Sequence, residues 1–254
     1  MCLLTFAYDT HPAYSLVFAG NRDEFYERPA HAATFWDDAP HVLAGRDLEA
    51  GGTWVGVTRN GHWGVVTNIR SPGGDRSAAR SRGDLVAEYL KQEPPPESYL
   101  QTIAATADQY NGFNLILGTP SSLFYLSSRE GAVESIAPGV HGLSNARLNT
   151  PWPKVETAKR DLRDVLETSV APDALLDLLG QRDPFPTEKL PETGVGPETE
   201  RLLSPLFIES ETYGTRASTV LLIDRTGRVT FVERTFDTGK PDGTRRFSFL
   251  IDSH

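Results

Sequence analysis

Apolar runs of strand length open the chain, at residues 3–8 (Leu3-Leu4-Thr5-Phe6-Ala7-Tyr8), 14–19, 54–58 and 62–67. Short runs rich in β-branched and aromatic residues, bounded by Gly, Pro, Asn or Asp, predict strands. Asn60-Gly61 joins the last two; both residues tolerate positive φ, so the pair predicts a tight hairpin. The period then changes. Leu85, Val86, Tyr89 and Leu90 share one helical face, predicting a helix over 83–92 that Pro94-Pro95-Pro96 ends. Leu100, Ile103, Ala104 and Ala107 predict a second helix over 97–109. Strands return at 113–117, 123–127, 133–136 and 140–143. Thr150-Pro151 reads as an N-cap followed by proline at the first helical position, opening a helix that runs to Thr168. Val155, Ala158, Leu162, Val165 and Leu166 mark its buried side. A short helix over 173–179 closes at Gly180, and 181–196, rich in Pro, Thr, Asp and Glu, reads as loop. Strands at 218–223, 229–234 and 246–251 finish the chain, the first two joined by a turn at 224–227.

Helices grouped between blocks of strands argue against a doubly wound parallel sheet and for an α+β arrangement, antiparallel sheets covered by helices. No internal repeat, low-complexity tract or break in composition divides the chain, so residues 1–254 are expected to form a single domain. Composition sharpens this only slightly: 39% hydrophobic and 23% charged residues are ordinary for a globular protein. A net charge of −9 without a basic stripe argues against a nucleic-acid partner. Arg70, Arg76, Arg80 and Arg82 are local, mixed with Gly, Ser and Asp, and read first as a solvated loop, with a rim that attracts an anionic substrate as the alternative. A single cysteine leaves no intrachain disulfide and suits a reducing compartment. No basic segment precedes the first apolar run, and no run of 18 apolar residues occurs, so neither a secretory signal nor a transmembrane helix is expected. The expectation is a cytoplasmic protein of open oligomeric state. The histidines, at 11, 31, 41, 62, 141 and 254, show no metal-binding spacing, and neither a P-loop nor a Rossmann fingerprint is present.

The candidate chemistry starts at Cys2, preceded only by Met1. A small second residue favours removal of Met1, which would put a thiol and a free α-amine on one residue. The amine's reference pKa of about 7.7–8.0 leaves a usable fraction unprotonated near neutrality. A nucleophile needs an adjacent base, and an N-terminal cysteine carries its own. The competing reading is a small buried hydrophobe. Asn21-Arg22-Asp23-Glu24 follows the strand at 14–19. If that strand pairs with 3–8 across a turn at 9–13, Cys2 opposes residues near 20–22. Arg22 would then lower the thiol pKa, and Asp23 would accept a hydrogen bond from the α-ammonium.

Several ordered motifs resemble the NRDE family, also called the transport and Golgi organisation protein 2 family. They are Met1-Cys2, Asn21-Arg22-Asp23-Glu24, Arg28-Pro29, Ala44-Gly45-Arg46-Asp47, Gly51-Gly52-Thr53-Trp54-Val55-Gly56, Val66-Thr67-Asn68, Gly142-Leu143-Ser144-Asn145 and Thr215-Arg216-Ala217-Ser218-Thr219-Val220. The start of that family in turn resembles N-terminal-nucleophile hydrolases of the penicillin V acylase and bile salt hydrolase type. This resemblance implies a four-layer αββα fold with two antiparallel sheets. It implies a nucleophile at Cys2 supported by Arg22 and Asp23. By order and context it matches Asn68 and Asn145 to oxyanion donors, each worth roughly 3–4 kcal/mol where such donors are removed. Arg216 matches a late arginine that would hold the amine and Asp23 in register or bind a substrate carboxylate. Asn21, Trp54 and Trp63 complete the candidate set as substrate-binding residues, although both tryptophans read first as core. Two functions compete. One is a hydrolase of an amide or thioester bond in a small amphipathic acyl substrate. The other is a non-catalytic carrier of lipid, acyl-CoA or haem, because a fold does not fix a function. No cofactor is required; haem enters only as a candidate ligand, with Cys2 or a histidine at the iron.

Overall fold

The computed structural model describes residues 2–71 and 79–252, and within them the strands divide between two antiparallel sheets. Strands β1 (Cys2–Tyr8), β2 (Tyr14–Phe25), β10 (Gly139–Leu143), β11 (Tyr213–Asp224), β12 (Arg228–Asp237) and β13 (Lys240–Leu250) form one, in the order β10-β1-β2-β11-β12-β13. The other contains β3 (Ala30–Trp36), β4 (Ala39–Asp47), β5 (Val55–Thr58), β6 (Trp63–Asn68), β7 (Phe113–Thr119), β8 (Ser122–Ser127) and β9 (Val133–Ser135), in chain order. Helices α1 (Arg82–Gln92) and α2 (Pro96–Ala104) cover the second sheet, and α3 (Pro153–Thr168) and α4 (Pro172–Leu178) cover the first. A short α5 (Pro197–Leu202) follows. This is the expected αββα layering.

Burial on both faces explains why the strands read as continuous apolar runs. Alternate residues of a strand point to opposite faces. On the first sheet, Leu4, Phe6, Phe18, Leu221 and Phe231 turn inward into the core between the sheets. Phe18 there meets Trp54 and Trp63 at ring-centroid distances of 6.5 and 6.0 Å. The alternate positions Ala7, Val17, Ala19, Val220 and Val232 pack outward against Leu162 of α3 and Leu175 and Leu176 of α4. A helix on the far side thus replaces the polar face of a solvated antiparallel strand.

Four expectations change. β2 runs on to Phe25, so residues 21–24 lie inside a strand instead of following one, because β11 pairs along its other edge. β3 and β4 escape notice because residues 30–47 lack a clean apolar alternation and β3 is an edge strand. The third helix starts at Pro153, not after Thr150: a residue before proline is held extended, and Trp152 sits at ψ 146°. Arg70, expected in a solvated loop, is buried and ion-paired to Glu200 beneath Trp152; Arg76 lies outside the described residues. In the 58–62 hairpin only Gly61 takes positive φ, at 83°. No helix among the described residues is long and apolar enough to cross a membrane.

One glycine is a strict requirement of the packing. A Cβ on Gly52 would lie 2.5 Å from the Gly83 carbonyl carbon and 2.7 Å from its oxygen, both backbone atoms at the start of α1. The neighbouring Thr53 N–H donates to that same oxygen at 3.1 Å. Gly52→Ala must therefore push α1 away and is expected to destabilise the protein by about 1–3 kcal/mol, read as a lower urea midpoint at an unchanged slope.

Candidate active site

The register of β1, β2 and β11 builds the site. Cys2 pairs with Arg22, which pairs in turn with Ala217, and Asp23 pairs with Thr215. Arg216 is the extra residue of the β-bulge between Thr215 and Ala217. These strand ends open onto a cavity of about 1220 Å³ whose lining includes Cys2, Arg22, Asp23, Trp54, Asn68 and Arg216. Cys2 is only 6% exposed. Burial pushes its pKa up and the Asp23 carboxylate adds to the rise; Arg22 and the Asp23 backbone N–H oppose it. The resting residue is therefore a thiol that needs a base to react.

Arg22 is fixed from the other sheet. Its Nη2 lies 3.4 Å from Asp47 and 3.5 Å from Glu24. Asp47 also accepts from Arg28 Nε at 2.6 Å and from the N–H groups of Glu49 and Ala50. Burial works against the Asp47 charge, but Arg28 and the Ala50 N–H hold its pKa below the usual carboxylate range. Two sequence motifs that are remote in the chain, 21–24 and 44–47, thus meet in one ion network.

Asp23 faces the opposite side of the sheet, almost fully buried, and accepts from Thr215 Oγ1 at 2.7 Å. Burial raises its pKa, opposed by Lys154, the Thr215 hydrogen bond and Arg22. Lys154 is the residue that sequence reasoning missed. It stands in the first turn of α3, 3% exposed, and donates to the Leu203 carbonyl at 3.0 Å. Burial lowers its pKa to about 8, with Arg70 adding to the fall and Asp23, Cys2 and Glu200 resisting it. A signal was present: a lysine directly after Pro153 places a cation at a helix N-terminus, against the macrodipole. Such local conflicts are expected at functional sites.

The remaining candidates separate. Asn68 ends β6 and lines the cavity. Asn145 is not among the lining residues; it is 1% exposed and stands behind Asn68, donating from Nδ2 to the Asn68 carbonyl at 2.9 Å. Its neighbour Ser144 donates to the Cys2 carbonyl at 3.1 Å. Asn145 is thus placed as a support for Asn68, not as a second donor in the cavity. Arg216 does not reach for Asp23. It donates from Nη1 to the carbonyls of Phe25, Tyr26 and Arg28 at 3.0, 2.6 and 3.1 Å, pinning the end of β2. Asn21 is displaced from the substrate-binding set. Fully buried on the outer face, it donates to the Leu179 and Leu206 carbonyls at 3.0 and 2.8 Å and accepts from Ser218 at 2.6 Å. Trp63 is core, 2% exposed against Phe18, while Trp54 lines the cavity. Among the described residues no group of three or more His, Cys, Asp or Glu side chains is placed to hold a metal.

The family model described as Transport and Golgi organisation 2 matches residues 1–238. The chain is 34% identical to the Transport and Golgi organization 2 homolog of Mus musculus, over the whole of both chains. It is 38% identical to the Transport and Golgi organization protein 2 homolog of Bos taurus, over 92% of each. Among solved structures, the C2A mutant of the conjugated bile acid hydrolase from Clostridium perfringens aligns with a TM-score of 0.52. That alignment covers 98% of this chain and 92% of that one at 7% identity, a likeness of fold alone.

Lys154 gives the site a measurable pH signature. Its folded pKa of about 8 lies below the ordinary lysine value of 10.5, so between these values the unfolded state binds the extra proton. The group's contribution is unfavourable below pH 8 and the penalty fades as pH rises. Wild type should therefore gain roughly 3 kcal/mol relative to Lys154→Met across that interval, measured by urea denaturation at stepped pH; parallel profiles would show that Lys154 is not held this way.

Proposed function

The chain belongs to the Transport and Golgi organisation 2 family, and from that premise we propose that it is an N-terminal-cysteine hydrolase cleaving an amide or thioester bond of a small amphipathic acyl substrate. The observation that carries this reading is the place of Cys2: the tip of β1, in register with Arg22, beside Asp23, at the wall of the cavity. The shared fold of an enzyme named as a conjugated bile acid hydrolase supports it.

Removal of Met1 frees the amine that the buried thiol lacks as a base. The amine takes the thiol proton as sulfur attacks the acyl carbonyl, forming the C–S bond. The Asn68 amide stabilises the oxyanion. The tetrahedral centre collapses, the C–N or C–S bond to the leaving group breaks, and the amine returns the proton to that group. Water, deprotonated by the same amine, then releases the acid and regenerates the thiol. Asp23 orients the amine; Arg22 offsets the charge on sulfur. Haem fits the cavity less well. Its candidate ligands in the wall are Cys2 and His31, and burial disfavours the thiolate that iron would require.

Intact mass spectrometry before and after treatment with a β-lactone tests the proposal. The expected result is a chain lacking Met1 that gains a single adduct on Cys2, with no adduct on Cys2→Ala. Asn68→Ala should slow acylation by roughly 10²–10³-fold. Retained Met1, or an unreactive Cys2 in a chain that has lost it, would overturn the nucleophile assignment.

A further inference from the structure

Two residues deeper than the Cys2 row, on the same inner face, runs the row Leu4, Gly20, Thr219, Glu233. Glu233 lines the cavity yet is 3% exposed. Its Oε1 accepts from the Ala33 N–H across the sheets at 2.6 Å. Its Oε2 lies against Gly45 of β4, where an added Cβ would come within 3.3 Å. Among the described residues Oε2 has no hydrogen-bond partner and the carboxyl no ion pair. Beside it on β11, the Thr219 hydroxyl is buried and also lacks a partner. Burial pushes the Glu233 pKa up, opposed by the Ala33 N–H and, from beyond ion-pair distance, by Arg22 and Arg245.

Buried polar groups are normally satisfied, and a native exception calls for a cause. Here the Thr219 hydroxyl is such an exception, and it adjoins Glu233 in the wall of the cavity that holds Cys2. The charge balance of the wall indicates what Glu233 would accept. Arg22, Arg28, Arg46 and Arg80 each already face a carboxylate, Asp47, Asp38 or Glu88, and Arg82 and Arg216 donate to backbone carbonyls. Glu233, with Asp237 and Asp242 on the same wall, has no such partner among the described residues. A carboxylate can only accept hydrogen bonds, and a donor bearing positive charge would satisfy Oε2 and relieve the cost of burying its charge.

We propose that Glu233 forms a recognition subsite for a primary ammonium group on the substrate. The Glu233 carboxylate takes the charge, and the acyl bond lies nearer the mouth at Cys2. This deepens the hydrolase reading and rests on it for the identity of the cavity, but not for any bond-breaking step. The preferred substrate class is then an acyl amide or thioester that carries a free amine, with anionic analogues disfavoured.

The test is calorimetric titration of Cys2→Ala protein at pH 7 with n-octylammonium, n-octanol and octanoate. The ammonium should bind most tightly and octanoate least. Glu233→Gln, which can keep the Ala33 hydrogen bond, should weaken ammonium binding by roughly tenfold or more and leave octanol unchanged. Glu233→Asp keeps the charge but draws it back from the cavity; it should weaken the ammonium by a smaller factor and leave octanol unchanged, so it carries the test if Glu233→Gln does not fold. Octanoate binding as tightly as the ammonium, or an ammonium preference that survives both substitutions, would overturn the subsite. Because Cys2 is absent from this protein, failure here is separate from failure of the β-lactone experiment.

Discussion

The pairing of β2 between β1 and β11 is the constraint on which the rest depends. A single register fixes Cys2 against Arg22 and Asp23 against Thr215. Because side chains alternate, a slip of one residue would send Cys2 to the helix side and Asp23 into the inter-sheet space. The register is secured by burial on both faces, with Phe18 against two tryptophans within and Val17 and Ala19 against α3 and α4 without. Asn21 adds a polar lock, tying β2 to the Leu179 and Leu206 carbonyls and to Ser218.

Around that register, the charged residues separate into two systems on opposite faces of one strand. Arg22 joins Asp47, Arg28 and Glu24 at the cavity, partly solvated. Asp23 turns the other way, into a buried group with Lys154 near the Arg70–Glu200 pair. Buried charges are costly unless they are paired. The cost falls on Asp23, which lies near Cys2, and the layer of α3 keeps water from it. Consecutive residues with opposite surroundings can hold different protonation states and different duties.

The asparagines follow the same logic of layers. Asn68 reaches the cavity because β6 ends there, and Asn145 holds the Asn68 backbone from behind while Ser144 holds that of Cys2. Arg216 fixes the carbonyls at the end of β2. Cys2 and the candidate oxyanion donor are thus positioned by two ordered elements, and a site held this way loses little freedom when a ligand enters.

The sequence by itself determined most of the strand and helix blocks, the αββα layering through family resemblance, and the approach of Cys2 to Arg22. The first rests on local pattern and the last on counting along one hairpin, and both survive without knowledge of distant contacts. Only the tertiary structure decided which side chains face the cavity. Asn21 and Asn145 look as functional as Asn68 in the sequence, and Trp63 looks like Trp54, yet the face of each depends on which strand lies beside it. Lys154 and Glu233 lie over a hundred residues from Cys2 in the chain and carry no spacing motif. Their burial arises when α3 and β12 are laid against the sheets, and the perturbation of their charges follows from that desolvation, a property of packed volume that no local pattern encodes.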